Sequence, residues 1–203
     1  MTPFFSESLW PGLLVWILLF ISDYSLTLYC ARLYQTRARD KIAIEGSYEL
    51  TPFYQRDIDA LKRISPRFLF AICAASLVLG LIWFVASGNP LMELAYEFAL
   101  GSLILTQLAV HIRHLRAVAL FRRGLGEDGV RGRIEYPRWL SLQISSTELW
   151  TFAAAYVVMF AITGSVFLLG GAFSCAATAR KHALLSRKAA PALPDRTATV
   201  MEP

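Results

Sequence analysis

The chain has 203 residues, of which 56% are hydrophobic and 17% are charged, and its mean hydropathy is +0.47. A soluble domain of this length usually carries more charge and shorter apolar runs, so the composition argues against that class. The net charge of +5 comes from basic residues that flank the apolar runs. Such residues attract anionic lipid headgroups, so they indicate a membrane surface and do not imply a nucleic-acid site.

Four apolar stretches meet or approach the length of a membrane-spanning helix, which is about 20 residues. They run over residues 10–31, 68–87, 94–112 and 149–173. An acidic or basic side chain interrupts only two of them, at Asp23 and at Glu97. Because lipid offers no partner to open strand edges, we predict helices throughout. The predicted fold is an all-α integral membrane four-helix bundle, with one transmembrane domain over residues 1–179.

The Lys and Arg residues fall into three segments: eight lie in 32–67, seven in 113–138 and five in the tail from Arg180. The positive-inside rule therefore predicts that loops 32–67 and 113–148 face the cytoplasm and that the N-terminus faces outward. Four spans would leave the basic tail outside, against the same rule. A break at Gly170–Gly171 is one way to bring the tail back, so the side of the tail stays open.

The first loop contains a predicted amphipathic helix over residues 52–64. Pro52 suits a first helical turn, and Thr51 before it is a reasonable N-cap. The apolar side chains lie roughly on one side of this helix: Phe53, Ile58, Leu61 and Ile64. This pattern is typical of an interfacial helix that lies on the inner leaflet.

The second loop and the tail have no predicted regular structure. The stretch "GLGEDGVRG" is rich in glycine, but it lacks the strand-turn-helix context of a phosphate-binding loop, so we predict a flexible turn. The tail, residues 180–203, is basic, and its end is rich in Pro, Ala and Thr without periodicity. We therefore predict a disordered tail.

The third span carries polar groups on one stripe of its helical surface. Glu93 and Glu97 lie on the stripe at the outer end, and Gln107, His111 and His114 lie on it at the inner end. Apolar residues separate the two groups, so the stripe is not a continuous polar path. The outer acidic pair suits the positive end of the helix dipole, or it forms an outward mouth that collects cations.

Asp23 lies inside the first span, where an ionised carboxylate costs at least about 2.5 kcal/mol unless it is protonated, paired or hydrated. On the third span Gln107 matches the depth of Asp23, and His111 matches the depth of Thr27. Glu148 arrives close by, at the start of the fourth span. We therefore predict an intramembrane polar cluster of six residues: Asp23, Thr27, Gln107, His111, His114 and Glu148.

Three interpretations of this cluster stay open. The first is polar glue between helices, which contributes about 0.6 kcal/mol for each bond. The second is a proton- or cation-handling site, in which a buried carboxylate lies beside an imidazole. The third is a divalent metal site, formed by His111 and His114 with Glu148 or Asp23. No nucleophile motif accompanies these residues, so an enzyme is the less favoured class.

The segments "SDYSLT" and "YELTP" resemble a family of uncharacterised small prokaryotic multi-span membrane proteins. The family combines a membrane Asp and Thr four residues apart with a later turn of the type Glu-x-Asn-Pro. Asp23 and Thr27 match the first motif, and Glu49 and Pro52 match the second, whereas Thr51 stands where the family has Asn. The resemblance implies a protein of a prokaryotic inner membrane. The family has no settled activity, so no reaction is implied.

The sequence leads to one preferred function and two alternatives. The preferred function is a component of proton- or cation-linked transport of an ion or solute, centred on Asp23 and His111. The alternatives are a non-catalytic accessory or scaffold subunit of a membrane complex, and a metalloenzyme at the membrane face. Because four spans are few for a transport path, we expect a homo-oligomer or a larger membrane complex.

Overall fold

The computed structural model describes residues 8–86, 89–125, 129 and 131–191. Within these residues the chain forms six helices and two short strands. The helices, α1 to α6, are Leu9–Leu33, Pro52–Asp59, Pro66–Ala86, Pro90–Ala119, Arg138–Thr163 and Val166–Ala189. The strands β1 and β2 are Ile42–Ile44 and Ile134–Tyr136. Single turns of π-helix extend α1 and α4, at Tyr34–Ala38 and Leu120–Gly124.

Four helical segments are long and apolar enough to cross a bilayer. They are Leu9–Ala38, Pro66–Ala86, Pro90–Arg123 and Arg138–Thr163. The prediction of a mainly helical chain with four long apolar helices is therefore confirmed. The last of the four differs from the predicted span in where it begins and ends.

Capping residues fix where two of the long helices begin. Ser8 precedes α1, and its Oγ accepts a hydrogen bond from the backbone N–H of Trp10. Asn89 precedes α4, and its Oδ1 accepts one from the backbone N–H of Leu91. Pro90 occupies the first turn of α4, where the N–H that proline lacks would have no helical partner. These side chains satisfy donors that a helix start leaves free.

The predicted fourth span, residues 149–173, is divided between two helices. α5 stops at Gly164, whose φ of +68° is a left-handed conformation that glycine adopts without strain. A break at Gly170–Gly171, one of the alternatives that the sequence left open, does not occur, because both glycines lie inside α6. A side chain at Gly170 would overlap the backbone of Phe98 in α4, so this glycine permits close packing between helices.

α5 and α6 form an antiparallel hairpin. Oγ of Ser186 donates a hydrogen bond to the carbonyl oxygen of Trp139 at 2.7 Å, and Oγ of Ser146 donates to that of Ala179 at 2.8 Å. The start of α5 and the end of α6 therefore lie at one end of the bundle. We call it the loop end, because β1 and β2 lie there too.

The basic tail begins as a helix. Residues 180–189 belong to α6, so the predicted disorder of 180–203 is wrong for this part. The end of the predicted tail, residues 192–203, lies outside the described residues. Because the last turns of α6 pack on the start of α5, the tail starts from the loop end, not from the opposite one.

A short parallel pair of strands joins the two long loops. β1 pairs with β2 with Ile42 opposite Ile134. Glu45, directly after β1, accepts a hydrogen bond from the backbone N–H of Arg138 at 2.9 Å, at the start of α5. The all-α prediction missed this sheet, because three-residue strands carry too little pattern to be seen. Of the predicted flexible turn between α4 and β2, residues 126–128 and 130 lie outside the described residues.

A helix forms where the interfacial helix was predicted, but it is shorter than 52–64. α2 ends at Asp59, and Leu61 has a φ of +48°, a left-handed conformation that interrupts the helix. Asp57 and Ile58 are buried against the chain itself, whereas Phe53 is exposed. One face of α2 therefore docks on the bundle and leaves an aromatic side chain outside.

The half of the bundle away from the loop end is filled with apolar side chains. A buried cluster joins α1, α3 and α4 there, through Leu13, Trp16, Leu79, Ala86, Tyr96, Leu100 and Ile104. A second cluster joins α4 to the hairpin, through Ala109, Leu149, Ala153, Cys175 and Ala179. On α4, Gln107, His111 and His114 lie closer to the loop end than the first of these clusters, whereas Glu93 and Glu97 do not.

Candidate functional site

A cavity of about 820 Å³ lies at the loop end of the bundle and is partly open to the outside. Small-molecule sites in proteins have volumes of about 300–1,000 Å³, so the size suits a ligand of that class. Part of its wall is aromatic, formed by Phe20, Tyr24, Tyr48, Tyr54, Phe68 and Tyr136. The rest of the wall carries charged and hydrogen-bonding groups from α1, α4, α5, α6 and the loop after β1.

Asp23, Thr27 and His114 meet on this wall. Nε2 of His114 lies 3.0 Å from Oγ1 of Thr27 and 3.3 Å from Oδ1 of Asp23. Thr27 donates its hydroxyl proton to the backbone carbonyl of Asp23 at 2.9 Å, so its Oγ1 accepts from the Nε2–H of His114. The imidazole is thus held by a hydroxyl with the carboxylate alongside. The side chains of Asp23 and His114 are 18% and 13% exposed, which limits how much water screens them.

His111 and Gln107 take different roles from those predicted. Nδ1 of His111 lies 2.7 Å from the backbone oxygen of Gln107, and its Nε2 lies 3.0 Å from Oγ of Ser22. These contacts turn the ring away from Asp23, so the structure pairs Asp23 with His114 and not with His111. Gln107 does line the cavity.

Glu148 lies on the cavity wall, but its carboxylate faces arginines and not the histidines. Its Oε2 is 3.1 Å from Nε of Arg113, and its Oε1 contacts the guanidinium of Arg116. Two positive charges thus surround one negative charge. This ion-pair network connects α5 to the loop-end part of α4.

The predicted metal set of His111, His114 and Glu148 is not assembled. Each of the three is held by a different partner: Ser22, Thr27 and the two arginines, respectively. Across the described part of the chain, no three His, Cys, Asp or Glu side chains are gathered in a way that would hold a metal ion. The metal hypothesis therefore loses its geometric basis.

The predicted outer acidic pair is divided by burial. Glu93 is exposed in the first turn of α4, where a negative charge suits the helix dipole. Glu97, one turn further, is only 6% exposed. The two carboxylates therefore do not form a shared mouth open to the outside, and neither lines the loop-end cavity.

Glu49 is a member of the cavity wall that the sequence analysis did not assign to the site. Its Oε1 accepts a hydrogen bond from the backbone N–H of Thr51 at 2.7 Å. Burial raises the pKa of the Glu49 carboxyl, and the charges of His114 and Asp23 act on it in opposite directions. The family resemblance drew attention to Glu49, but helical spacing cannot place a loop residue beside a span.

The cavity wall holds a second histidine, His182, which the sequence analysis missed. Its Nδ1 lies 2.7 Å from Oγ of Ser145, and both side chains are buried between α5 and α6. The pair clamps the hairpin at the edge of the cavity. It was missed because the sequence placed His182 in a tail without structure.

Comparison with protein-family models, with curated proteins and with solved structures found no match. The functional argument therefore depends on the cavity and on the charges in its wall. Those charges include an acid and an imidazole in contact, inside a helix bundle that has the composition of a membrane protein.

Proposed function

We propose that the chain is a multi-pass protein of a prokaryotic inner membrane and a component of proton- or cation-linked transport of an ion or small solute. The observation that supports this proposal is the contact between Asp23 and His114 on the wall of the loop-end cavity. An acid and an imidazole in contact form a pair that takes up and releases a proton, and the affinity for that proton changes when a charged solute enters. Ionisable groups within a span are costly, so their presence favours a functional role.

The proposed orientation puts the loop end in the cytoplasm. The pairing of β1 with β2 and the contact between Ser186 and Trp139 bring both long loops and the start of the tail to one end. With that end inside, all three basic segments obey the positive-inside rule. Their Lys and Arg side chains would bind anionic headgroups, and α2, with Phe53 exposed, would lie on the inner leaflet.

In a single chain, the apolar half of the bundle closes the loop-end cavity toward the opposite end. The cluster around Trp16, Leu79 and Leu100 separates the cavity from the opposite end. Transport would thus require a rearrangement of this cluster or a partner that completes the path. A homo-oligomer or a larger membrane complex is therefore part of the proposal.

The test is proton flux into liposomes that contain the purified protein and a trapped pH-sensitive dye. A potassium diffusion potential set by valinomycin drives protons inward. We expect the wild-type protein to acidify the lumen faster than empty liposomes do, and Asp23→Asn to reduce the rate to that of empty liposomes. Glu93→Gln, which removes an exposed acid outside the cavity, serves as the matched control and should retain the flux.

A second candidate function is an accessory or scaffold subunit. The continuous apolar packing beyond the cavity favours it, because a scaffold needs no path through the bundle. If wild-type liposomes acidify no faster than empty ones, proton movement by this chain alone is excluded. Copurification of native partners under mild detergent would then be the expected result.

A further inference from the structure

The wall of the loop-end cavity has hydrogen-bond acceptors without donors. Oδ1 of Asp23 and Oε1 of Gln107 are buried, and neither receives a hydrogen bond from the described residues. The Nε2–H of His114, the nearest donor to Asp23, is directed at Thr27. A buried acceptor without a donor has lost its water without a replacement. Neither oxygen has exposed surface, so a ligand that brings N–H donors would restore hydrogen bonds to both once the two side chains rotate toward the cavity that their residues line.

The net charge of the cavity wall favours the binding of one positive charge. Three carboxylates, two guanidiniums and two imidazoles line the cavity: Asp23, Glu49 and Glu148, Arg113 and Arg116, and His114 and His182. When both imidazoles are neutral, the wall has one negative charge in excess, and a proton on His114 removes that excess. Arg113 and Arg116 are directed at Glu148, so the excess lies around Asp23 and Glu49. Either one bound proton or one monovalent cation makes the wall neutral.

The remaining wall is suited to an apolar body. Aromatic rings from α1, α2, α3 and the loop after β1 face the same space, among them Phe20, Tyr24, Tyr54 and Phe68. Phe68 stacks on both Phe20 and Tyr24, so these rings form one apolar surface. A volume of about 820 Å³ is also far larger than an inorganic ion needs, which favours an organic one.

We propose that the loop-end cavity binds a primary organic ammonium ion with an aromatic or branched apolar body, in exchange for one proton. The inference rests on the proposed function, since exchange of a proton for a cation is one form of cation-linked transport. The ammonium group enters with its positive charge and donates to Asp23 and Gln107. The proton that neutralised the empty wall leaves to water, so the charge of the cavity does not change.

The first test is isothermal titration calorimetry of the detergent-solubilised full chain with phenethylammonium chloride. Titrations in two buffers with different ionisation enthalpies give the number of protons released. We expect binding with release of about one proton for each cation, as charge balance requires. Phenylacetate, with the opposite charge, and phenethyl alcohol, with none, should not bind measurably. The N,N,N-trimethyl derivative, which has no N–H donor, should bind more weakly.

Variants separate the site from the fold. Asp23→Asn should weaken binding about tenfold or more, because a hydrogen bond to a charged group is lost. Gln107→Leu, which places an apolar residue in an apolar helix and should not impair insertion, is expected to weaken it by a smaller factor. Glu93→Gln should bind like the wild type. Each variant is compared at equal helix content by circular dichroism.

Three results would overturn the inference: equal binding of phenethylammonium and phenethyl alcohol, binding without proton release, or full affinity in both cavity variants. In each case the proton flux that depends on Asp23 remains measurable, so the proposed function is tested separately. Binding with proton release but without flux would have the opposite meaning. It would support the ligand class and count against transport by this chain.

Discussion

Nε2 of His114 lies 3.3 Å from Oδ1 of Asp23, and this contact links α1 and α4 near the loop end. Thr27 fixes the ring from the same side of α1, because its Oγ1 lies one turn further along the helix. Cys30 adds a longer contact from its Sγ to the backbone oxygen of His114, at 3.5 Å. The acid and the imidazole are therefore held in place by a neighbouring helix surface, which favours proton exchange between them.

The two histidines of α4 should differ in function. His114→Gln removes the imidazole that contacts Asp23, so we expect proton flux into liposomes to lose its dependence on pH and to fall several-fold. His111→Gln changes a ring that contacts Ser22 and the backbone oxygen of Gln107 and is not part of the cavity wall, so the flux should stay close to that of the wild type. Equal loss in both variants would mean that the contact with Asp23 is not the important one.

Asp57 should make the protein sensitive to acid. The hydrogen bond from Ser65 at 2.5 Å, followed by the one from Lys62 at 2.9 Å, lowers the pKa of the Asp57 carboxyl below its ordinary value. Because the folded chain holds the ionised form, this stabilisation is complete above the ordinary pKa and is lost as the pH falls through the lowered one. We therefore expect the melting temperature in detergent to drop between about pH 5 and pH 3.

The variant Asp57→Asn tests this assignment. It should melt at a lower temperature than the wild type at neutral pH, because the charge-assisted bonds from Ser65 and Lys62 are weakened. Its melting temperature should also fall less on acidification. Asp40→Asn, at an exposed carboxylate in the turn before β1, is the control and should follow the wild-type curve. The same acid dependence in Asp57→Asn and the wild type would count against Asp57 as the source.

Depth along the helices predicted part of the site and failed for the rest. It grouped Asp23, Thr27 and His114 in one polar cluster, and they do meet. It matched Asp23 with Gln107 and Thr27 with His111, whereas the structure brings His114 to both Asp23 and Thr27, because the sequence gives the angle of a residue on its helix but not the axial offset between two helices. It also directed Glu148 at the histidines, since an angle measured at the helix surface ignores how far an arginine side chain reaches.

The hairpin could not be located from hydropathy. The residues before and after Gly164 are equally apolar, so the turn has no polar marker, and one left-handed glycine is enough to end α5. Gly170–Gly171 looked like a stronger break, but pairs of small residues also serve close helix contacts. The strands and Glu49 were missed for a related reason, because their positions depend on contacts between loops far apart in the chain.

Close packing of α4 against α6 should make two glycines sensitive to a methyl group. A Cβ at Gly101 would overlap the backbone of Phe167, and one at Gly170 would overlap that of Phe98. We expect Gly101→Ala and Gly170→Ala each to destabilise the protein by about 1–3 kcal/mol, the usual cost of overpacking. The measurement is thermal unfolding in detergent, followed by circular dichroism.

Gly80→Ala is the matched control for this prediction. Its added Cβ would meet only Cδ2 of Leu9, at 3.9 Å, so the change should be neutral or stabilising by up to about 1 kcal/mol. If all three alanine variants unfold at the same temperature, α4 and α6 do not approach as closely as described. A loss confined to Gly101 and Gly170 would support the packing of the hairpin.

The side of the tail gives the most direct test of the hairpin. Lys188 is exposed near the end of α6, and Glu93 is exposed at the start of α4, at the opposite end of the bundle. Cys73 is replaced by Ala because it is exposed, whereas Cys30 and Cys175 are buried and stay in place. One cysteine at a time is then introduced at these two positions, and the two variants should react differently with a membrane-impermeant maleimide. In intact cells we expect labelling of Glu93→Cys and protection of Lys188→Cys, and the reverse in inverted vesicles. Labelling of both from the outside would mean that α6 does not return to the loop end. The basic tail would then lie outside, against the positive-inside rule.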